Sequence, residues 1–510
     1  VTGVTVILLA LVTLPYVYAE SQAGVTSVFG GFLLNPQDGN SYLAKMYLGW
    51  RGEWLFTLPY TAEKGQGVFL YFFYILLGHI ARSLGTPLIL AYHVARILSA
   101  GVMSLAIYRF AVAYLPGGHA SRLAYVMACF GAGSGWLALP FNVVPSDFWV
   151  AEAYPFLSAY VNPHFPLSLA LLLFLLLPIE TTGLDRPGKF LRSAGIVLAA
   201  FALAVLSPFA VAIALVCWSG MALWELLQAY SRHSIARPQR YLYRLGWIAL
   251  GGVPMVVYEL AVTSSNSLLS GWSAQNLTPA PPLWDLVLSL SPWLLLVPFG
   301  MRSALSNGNA EERLLIVWCV ASLALLYLPW SLQRRFMVGI YIPVITLSAL
   351  ALERLIKESR RYLLWGGLLF LLAMPTNLLV LQAGRHGILT RDANLYLSRD
   401  EAMAMDWIQT NTPADALILA APETGLLIPA RTGRRVIYGH PYETIQAEAQ
   451  KLKVEHFFQG EQSPEMEALL ARVDYVFYGP REREIGRNGI LDSLSPAYEN
   501  PSVVIYSVKR

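Results

Sequence analysis

Three stretches of the chain hold polar residues in patterns that could do chemistry. The first reads Asn35-Pro36-Gln37-Asp38-Gly39-Asn40-Ser41-Tyr42 and continues to Lys45, Arg51, Glu53, Glu63 and Lys64, with Trp50 and Trp54 interleaved. Asp38 sits in a turn between Pro36 and Gly39, where a helical run begins. A carboxylate held there can accept a proton from a hydroxyl or orient an acceptor. It can also simply cap the helix that follows, and one residue could do both. The second stretch holds Asp147, Glu152 and His164 among aromatic residues and four prolines, Pro145, Pro155, Pro163 and Pro166. The prolines point to a shaped surface, on which Asp147 and Glu152 are further candidate catalytic carboxylates. His164 has no companions at metal-ligand spacing. It reads as a hydrogen-bonded structural group or as a substrate contact. The third is Gln333-Arg334-Arg335-Phe336. Arginine forks match phosphate oxygens bidentately; the competing reading is interfacial snorkelling.

The elements that must position these residues are mostly apolar. Of 510 residues, 56% are hydrophobic and only 13% charged, about half the charge of an ordinary soluble protein. Residues 1–384 carry 22 basic and 15 acidic side chains, whereas 385–510 carry 14 and 17. The overall net charge of +4 is thus no argument for nucleic acid. Runs near 20 residues can cross a bilayer, and we place them at 2–19, 67–84, 87–115, 121–140, 165–179, 191–206, 208–227, 243–262, 286–300, 313–329, 336–352 and 361–381. The first reads as a retained helix rather than a cleaved signal peptide. Cys129, Cys217 and Cys319 lie in apolar stretches and read as small buried side chains.

Loop charge orients the spans. Arg186, Lys189 and Arg192, then Arg232, Arg237, Arg240 and Arg244, then Arg354, Lys357, Arg360 and Arg361 mark cytoplasmic loops. Segments 141–163 and 264–285 contain no Lys or Arg and belong outside, as does the long loop 20–66. Alternation from 141 onward puts the C-terminal domain outside. Parity fails near the N-terminus, so the expected total is 11 or 13 spans. Residues 385–510 read as a small α/β domain: helical pattern over 400–409 and 442–458, strand pattern over 416–421, 434–439, 473–478 and 502–508. There is no phosphate-binding glycine loop, dinucleotide fingerprint or nucleophile elbow, which argues against a free nucleotide donor.

Together these features resemble the GT-C superfamily of multispanning glycosyltransferases that use polyprenyl-phosphate sugars, in particular the protein O-mannosyltransferase and lipid A aminoarabinose transferase branch. The resemblance rests on Asp38 in a long first loop, on His93-Val94-Ala95-Arg96-Ile97-Leu98-Ser99, on Tyr160-Val161-Asn162-Pro163-His164-Phe165-Pro166, and on Arg334-Arg335-Phe336 before a late span. It implies a polytopic α-helical protein in the cell membrane with an external α/β domain, and sugar transfer to an acceptor at the outer face. Asp38 would be the catalytic carboxylate, although the family's second acidic residue is here an amide, Gln37. Arg334 and Arg335 would meet the lipid phosphate, with Lys45, Arg51, His164 and Tyr42 as further substrate contacts. The partners implied are a polyprenyl-phosphate sugar, membrane lipids and an acceptor that is a lipid, glycan or protein. A divalent cation is compatible with this reading, though no residue cluster demands one. A flippase of lipid-linked material is the alternative, which would place polar residues deep in opposed spans. So is a non-catalytic assembly subunit with an external binding domain.

Overall fold

The computed structural model of the protein describes residues 1–115, 117–178, 186–307 and 310–508. At 1.5 Å per residue an α-helix needs about 20 residues to cross the hydrocarbon of a bilayer. Among the described residues eight helices are long and apolar enough: Thr2–Gln22, Leu88–Tyr114, Gly118–Phe141, Pro187–Leu206, Pro208–Ser231, Gln239–Ser265, Gln333–Leu355 and Arg360–Thr390. Each coincides with a predicted span. The other four predicted spans fall on shorter helices: Phe72–Leu84, His164–Leu175, the pair Leu283–Leu290 and Val297–Asn307, and Ala310–Leu326. (Residue 179, the last of the predicted span 165–179, lies outside the described residues.) The expected 11 to 13 spans therefore become eight long helices plus these shorter apolar segments.

The short helices end for identifiable reasons. Pro292 follows Leu283–Leu290 and has no N–H to continue the ladder. The C-terminal carbonyls of His164–Leu175 are taken by side chains: Arg244 donates to Phe174 at 2.9 Å and Leu175 at 3.2 Å, Trp218 to Leu175 at 3.0 Å, and the Tyr114 hydroxyl to Leu176. These bonds satisfy carbonyls that a helix end otherwise leaves without partners.

The chain forms two compact units. One comprises Val1–Pro15, Arg96–Tyr258 and Leu277–Gly384; the other comprises Tyr16–Ala95, Glu259–Asn276 and Arg385–Arg510. The first loop thus belongs with the C-terminal segment, which composition alone does not reveal. In the first unit, fully buried Arg96 donates through Nη1 to the carbonyls of Val12 and Ala159 at 2.9 and 2.8 Å.

The second unit is built on a five-stranded sheet of order β4-β3-β5-β7-β6. Its strands are β3 Leu417–Leu419, β4 Arg435–Val436, β5 Tyr475–Tyr478, β6 Ser495–Glu499 and β7 Val504–Ser507. β3 runs parallel to β4 and β5, whereas β7 is antiparallel to β5 and β6. Side chains alternate between two cores as the two-residue period of a strand requires. Leu417, Leu419, Val476 and Tyr478 pack with Val454, Phe457 and Phe458. Ile418 and Phe477 pack with Met405 and Ile408. A separate ribbon pairs β1, Ser27–Phe29, antiparallel with β2, Tyr396–Ser398. Helix Pro36–Arg51 crosses Phe72–Leu84 at backbone contact. A Cβ on Gly49 would lie 1.9 Å from the Ile75 carbonyl oxygen, and one on Gly78 would lie 1.9 Å from that of Met46, so only glycine fits at the crossing.

Candidate functional site

In the second unit the site is built on helix Pro36–Arg51. Asn35, not Asp38, is its N-cap: it adopts φ 51° and its side chain accepts from the Asp38 N–H at 3.4 Å. Asp38 lies three residues on, in the first turn, where the helix dipole favours an anion. Asn35 Nδ2 donates to Asp38 Oδ2 at 2.6 Å, and the carboxylate side chain remains 39% exposed. Helical spacing sets Ser41, Tyr42 and Lys45 on the same side as Asp38.

The segment that faces them comes from the C-terminal domain. It follows β4, passes Gly439 and His440, and reaches Glu443. A Cβ on Gly439 would lie 2.3 Å from the Gly425 carbonyl oxygen, so the chain here runs against helix Pro422–Thr432 as only glycine allows. The Thr444 hydroxyl accepts from the N–H groups of Gly439 and His440 at 3.3 and 3.2 Å. Gln275 donates to the carbonyls of Thr444 and Tyr442 at 2.5 and 3.3 Å. These bonds fix a tight turn that aims His440 and Glu443 at the helix.

Lys45 is fully buried and donates to Glu443 Oε1 at 2.6 Å and Ser41 Oγ at 2.5 Å. Its ammonium also lies 4.2 Å from the Tyr71 ring centroid, 5.2 Å from Tyr42 and 5.8 Å from Phe56, within cation–π range. Burial alone would raise the Glu443 carboxyl. Lys45, His440 and hydrogen bonds from Lys45 and Ser41 outweigh it and hold Glu443 below the usual carboxylate range. Tyr42 stacks on Tyr74, with centroids 4.3 Å apart and planes 11° from parallel. Arg51, at the far end of the helix, donates to the carbonyls of Ala414 and Gly433 at 2.7 Å each and to Glu53 at 2.6 Å. Of the first-loop candidates, the structure brings Asp38, Tyr42 and Lys45 to one helix side and gives Arg51 a tethering role. Lys45 is compensated locally by Glu443; among the described residues no Lys or Arg lies within ion-pair distance of Asp38.

In the first unit three polypeptide segments converge around the arginine pair. The Arg334 guanidinium lies 4.6 Å from the Trp149 ring centroid, and Arg335 stands 3.7 Å from the buried Glu152 carboxylate. The Arg334 N–H donates to the Thr278 carbonyl at 2.9 Å, and the Gly339 N–H donates to that of Glu152 at 3.0 Å. Asp147 is sealed from solvent. It accepts from the Gly135 N–H at 3.0 Å and the Thr376 hydroxyl at 2.8 Å, and its own backbone N–H donates to the Ser289 hydroxyl at 3.3 Å. Burial, opposed by these bonds, pushes its pKa up to about 6. Ser289 also donates to Asp285 at 2.7 Å, and Asp285 in turn accepts from the N–H and hydroxyl of Ser146 at 2.8 and 2.7 Å. Asp147 therefore anchors the loop that presents Trp149. His164 is half-buried with its ring 4.0 Å from that of Phe165. Among the described residues no three His, Cys, Asp or Glu side chains converge to hold a metal ion.

Sequence reading missed His440, Glu443 and Gln275. The available signal was positional: His440 follows the C-terminal end of a parallel strand, where open α/β sheets place functional groups.

The fold is that of the multispanning membrane proteins of GT-C type. Three solved structures share it across the whole chain. An oligosaccharyltransferase from Archaeoglobus fulgidus, tethered to an acceptor peptide, is 13% identical and matches over 100% of this chain and 74% of its own, with TM-score 0.56. ArnT from Cupriavidus metallidurans, bound to undecaprenyl phosphate, is 11% identical over 100% of this chain and 98% of its own, with TM-score 0.53. The mycobacterial arabinofuranosyltransferase AftD is 14% identical over 100% of this chain and 40% of its own, with TM-score 0.54. No protein-family model and no curated protein sequence matches the chain. The resemblance drawn from short motifs is met at the level of the fold.

Proposed function

We propose that the protein transfers a sugar from a polyprenyl-phosphate carrier to an acceptor at the external face of the membrane. The observation that carries this reading is the shared fold, in which one solved neighbour holds undecaprenyl phosphate and another an acceptor peptide. The residues of this chain support separate roles in its two units. Asp38 is a partly exposed carboxylate whose Oδ2 is held by Asn35, which suits it to take a proton from an acceptor hydroxyl. The acceptor oxygen then forms the bond to the anomeric carbon. The bond from that carbon to the phosphate oxygen breaks, and the electron pair leaves with the lipid phosphate. Displacement with inversion needs one base and no covalent sugar–protein intermediate.

The departing phosphate needs positive charge where its own charge develops. Arg334, whose guanidinium lies 4.6 Å from the Trp149 ring, and Arg335, 3.7 Å from Glu152, are the residues we assign to that role, because guanidinium forks match phosphate oxygens. The absence of Lys and Arg from 141–163 and 264–285 favours an external position for these segments and for the C-terminal domain. The test supplies purified protein in nanodiscs with a panel of radiolabelled polyprenyl-phosphate sugars and a membrane extract. Wild type should transfer label from at least one donor, and Asp38→Asn should lose at least about a hundredfold of that rate. Folded wild-type protein inert with every donor, or an Asp38→Asn variant as active as wild type, would refute the assignment.

A further inference from the structure

The turn after β4 holds His440 in one tautomer. Its Nδ1 accepts the Tyr442 backbone N–H at 3.1 Å, and a ring nitrogen that accepts a hydrogen bond carries no proton. In the neutral ring the proton is therefore on Nε2. Burial, the largest influence, lowers the His440 pKa; Lys45 lowers it further, while Glu443 and Asp38 pull the other way. The neutral ring thus prevails at neutral pH. His440 is only 2% exposed, and among the described residues Nε2 has no hydrogen-bond partner. Asp38 Oδ1 stands 3.8 Å from it. That is too long for a hydrogen bond, but a shift of about 1 Å by the partly exposed Asp38 side chain makes one.

The two oxygens of Asp38 are then distinguishable. Oδ2 is held by Asn35 at 2.6 Å, and Oδ1 is the oxygen on the His440 side. The other groups facing this pair are Tyr74 from helix Phe72–Leu84, the Tyr60 and Tyr442 rings at 5.7 and 6.1 Å from the imidazole, and Lys45 and Glu443. Lys45 donates to Glu443 and Ser41 and thus makes its own bonds elsewhere.

We infer that His440 is a positioning residue for Asp38: its Nε2–H hydrogen-bonds Oδ1 and fixes the direction in which the carboxylate meets the acceptor hydroxyl. The C-terminal domain thereby completes the candidate site. The catalytic consequence rests on the proposed transfer reaction; the contact itself does not.

Two substitutions separate this role from a merely structural one. His440→Asn keeps an acceptor where Nδ1 sits, for the Tyr442 N–H, but its amide does not extend to the Nε2 position. His440→Gln places an amide N–H near that position. In the full chain in nanodiscs, His440→Asn should lower kcat roughly tenfold to a hundredfold, the worth of one hydrogen bond to a charged group. KM for the lipid donor should stay within about twofold, and His440→Gln should recover most of kcat. A structural role would give the reverse order, Asn rescuing and Gln failing, and would overturn the inference. A second arm needs no turnover. In protein labelled with ¹⁵N-histidine, the His440 ring signals are assigned by their loss in His440→Gln. They should report the neutral Nε2–H tautomer, and the Nε2 signal should move in Asp38→Ala. An Nδ1–H tautomer, or an Nε2 signal indifferent to Asp38→Ala, would overturn the contact. If no donor supports transfer by wild type, the reaction fails while this arm still decides the hydrogen bond.

Discussion

Replacing Lys45 by methionine keeps the side-chain stem and deletes the charge. Glu443 then retains one partner, the Ser41 hydroxyl at 2.5 Å, in a position where its side chain is 9% exposed. Removing one member of a buried pair leaves a charge stranded in low dielectric, at a cost of about 3–5 kcal/mol. The three rings around Lys45 lose their cation as well, roughly 0.5–2 kcal/mol in total. For a unit of some 200 residues each kcal/mol moves the midpoint by about 2–4 °C, so Lys45→Met should lower the apparent Tm by roughly 7–28 °C. Glu443→Gln combined with Lys45→Met removes the stranded charge and should regain more than half of that loss. The assay is thermal unfolding in nanodiscs at one fixed heating rate, because membrane proteins seldom unfold reversibly. The pair also sets a pH dependence. The folded Glu443 carboxyl is depressed, so its contribution is complete above the ordinary carboxylate range and is lost as pH falls through the lower folded value. Lys45→Met should abolish that acid-side slope. A Tm within 2 °C of wild type, or a double variant worse than both single ones together, would refute the reasoning.

Two further outcomes follow from the other unit. Asp147 has a folded pKa raised to about 6 by burial, so the folded state favours its protonated form and stability should fall as pH rises from about 4 to about 6, then level off. Asp147→Asn should flatten that segment of the Tm-against-pH curve; an unchanged slope would assign it to other groups. Arg334→Ala should reduce kcat/KM for the lipid donor roughly tenfold to a hundredfold, with a smaller loss for a soluble acceptor's KM, measured with the same radiolabelled donor. An equal loss for Arg334→Lys and Arg334→Ala would point to the planar contact with Trp149 rather than to charge alone.

The membrane helices were legible because apolar length is a direct physical requirement, and the eight long ones carry it in full. The predicted spans at 165–179 and 286–300 end early for reasons no hydropathy window contains: carbonyls capped by Arg244, Trp218 and Tyr114 in one, and Pro292 in the other. In the C-terminal domain β5 and β7 announced themselves by β-branched and aromatic runs, and β3 by a short apolar one. β6 did not, since Ser495–Glu499 holds Pro496 and a bulge on an exposed edge, as proline in a sheet must. Pro36 and Gly39 marked the turn at Asp38, but the cap is Asn35, whose left-handed backbone is atypical for that position. The helical pattern read over 442–458 begins only at Ala447. The residues before it form the turn that carries His440 and Glu443, and their meeting with Asp38 and Lys45 is a property of the tertiary fold alone.

Residues that share one salt bridge here are separated by 398 positions. At a ribosomal rate of about 5–20 residues per second, Lys45 is made some 20–80 seconds before Glu443. Throughout that interval an ammonium destined for a closed aromatic enclosure has no counter-ion of its own. The nascent first loop must wait in an open form, accessible to chaperones and proteases, until the last fifth of the chain emerges to shut it.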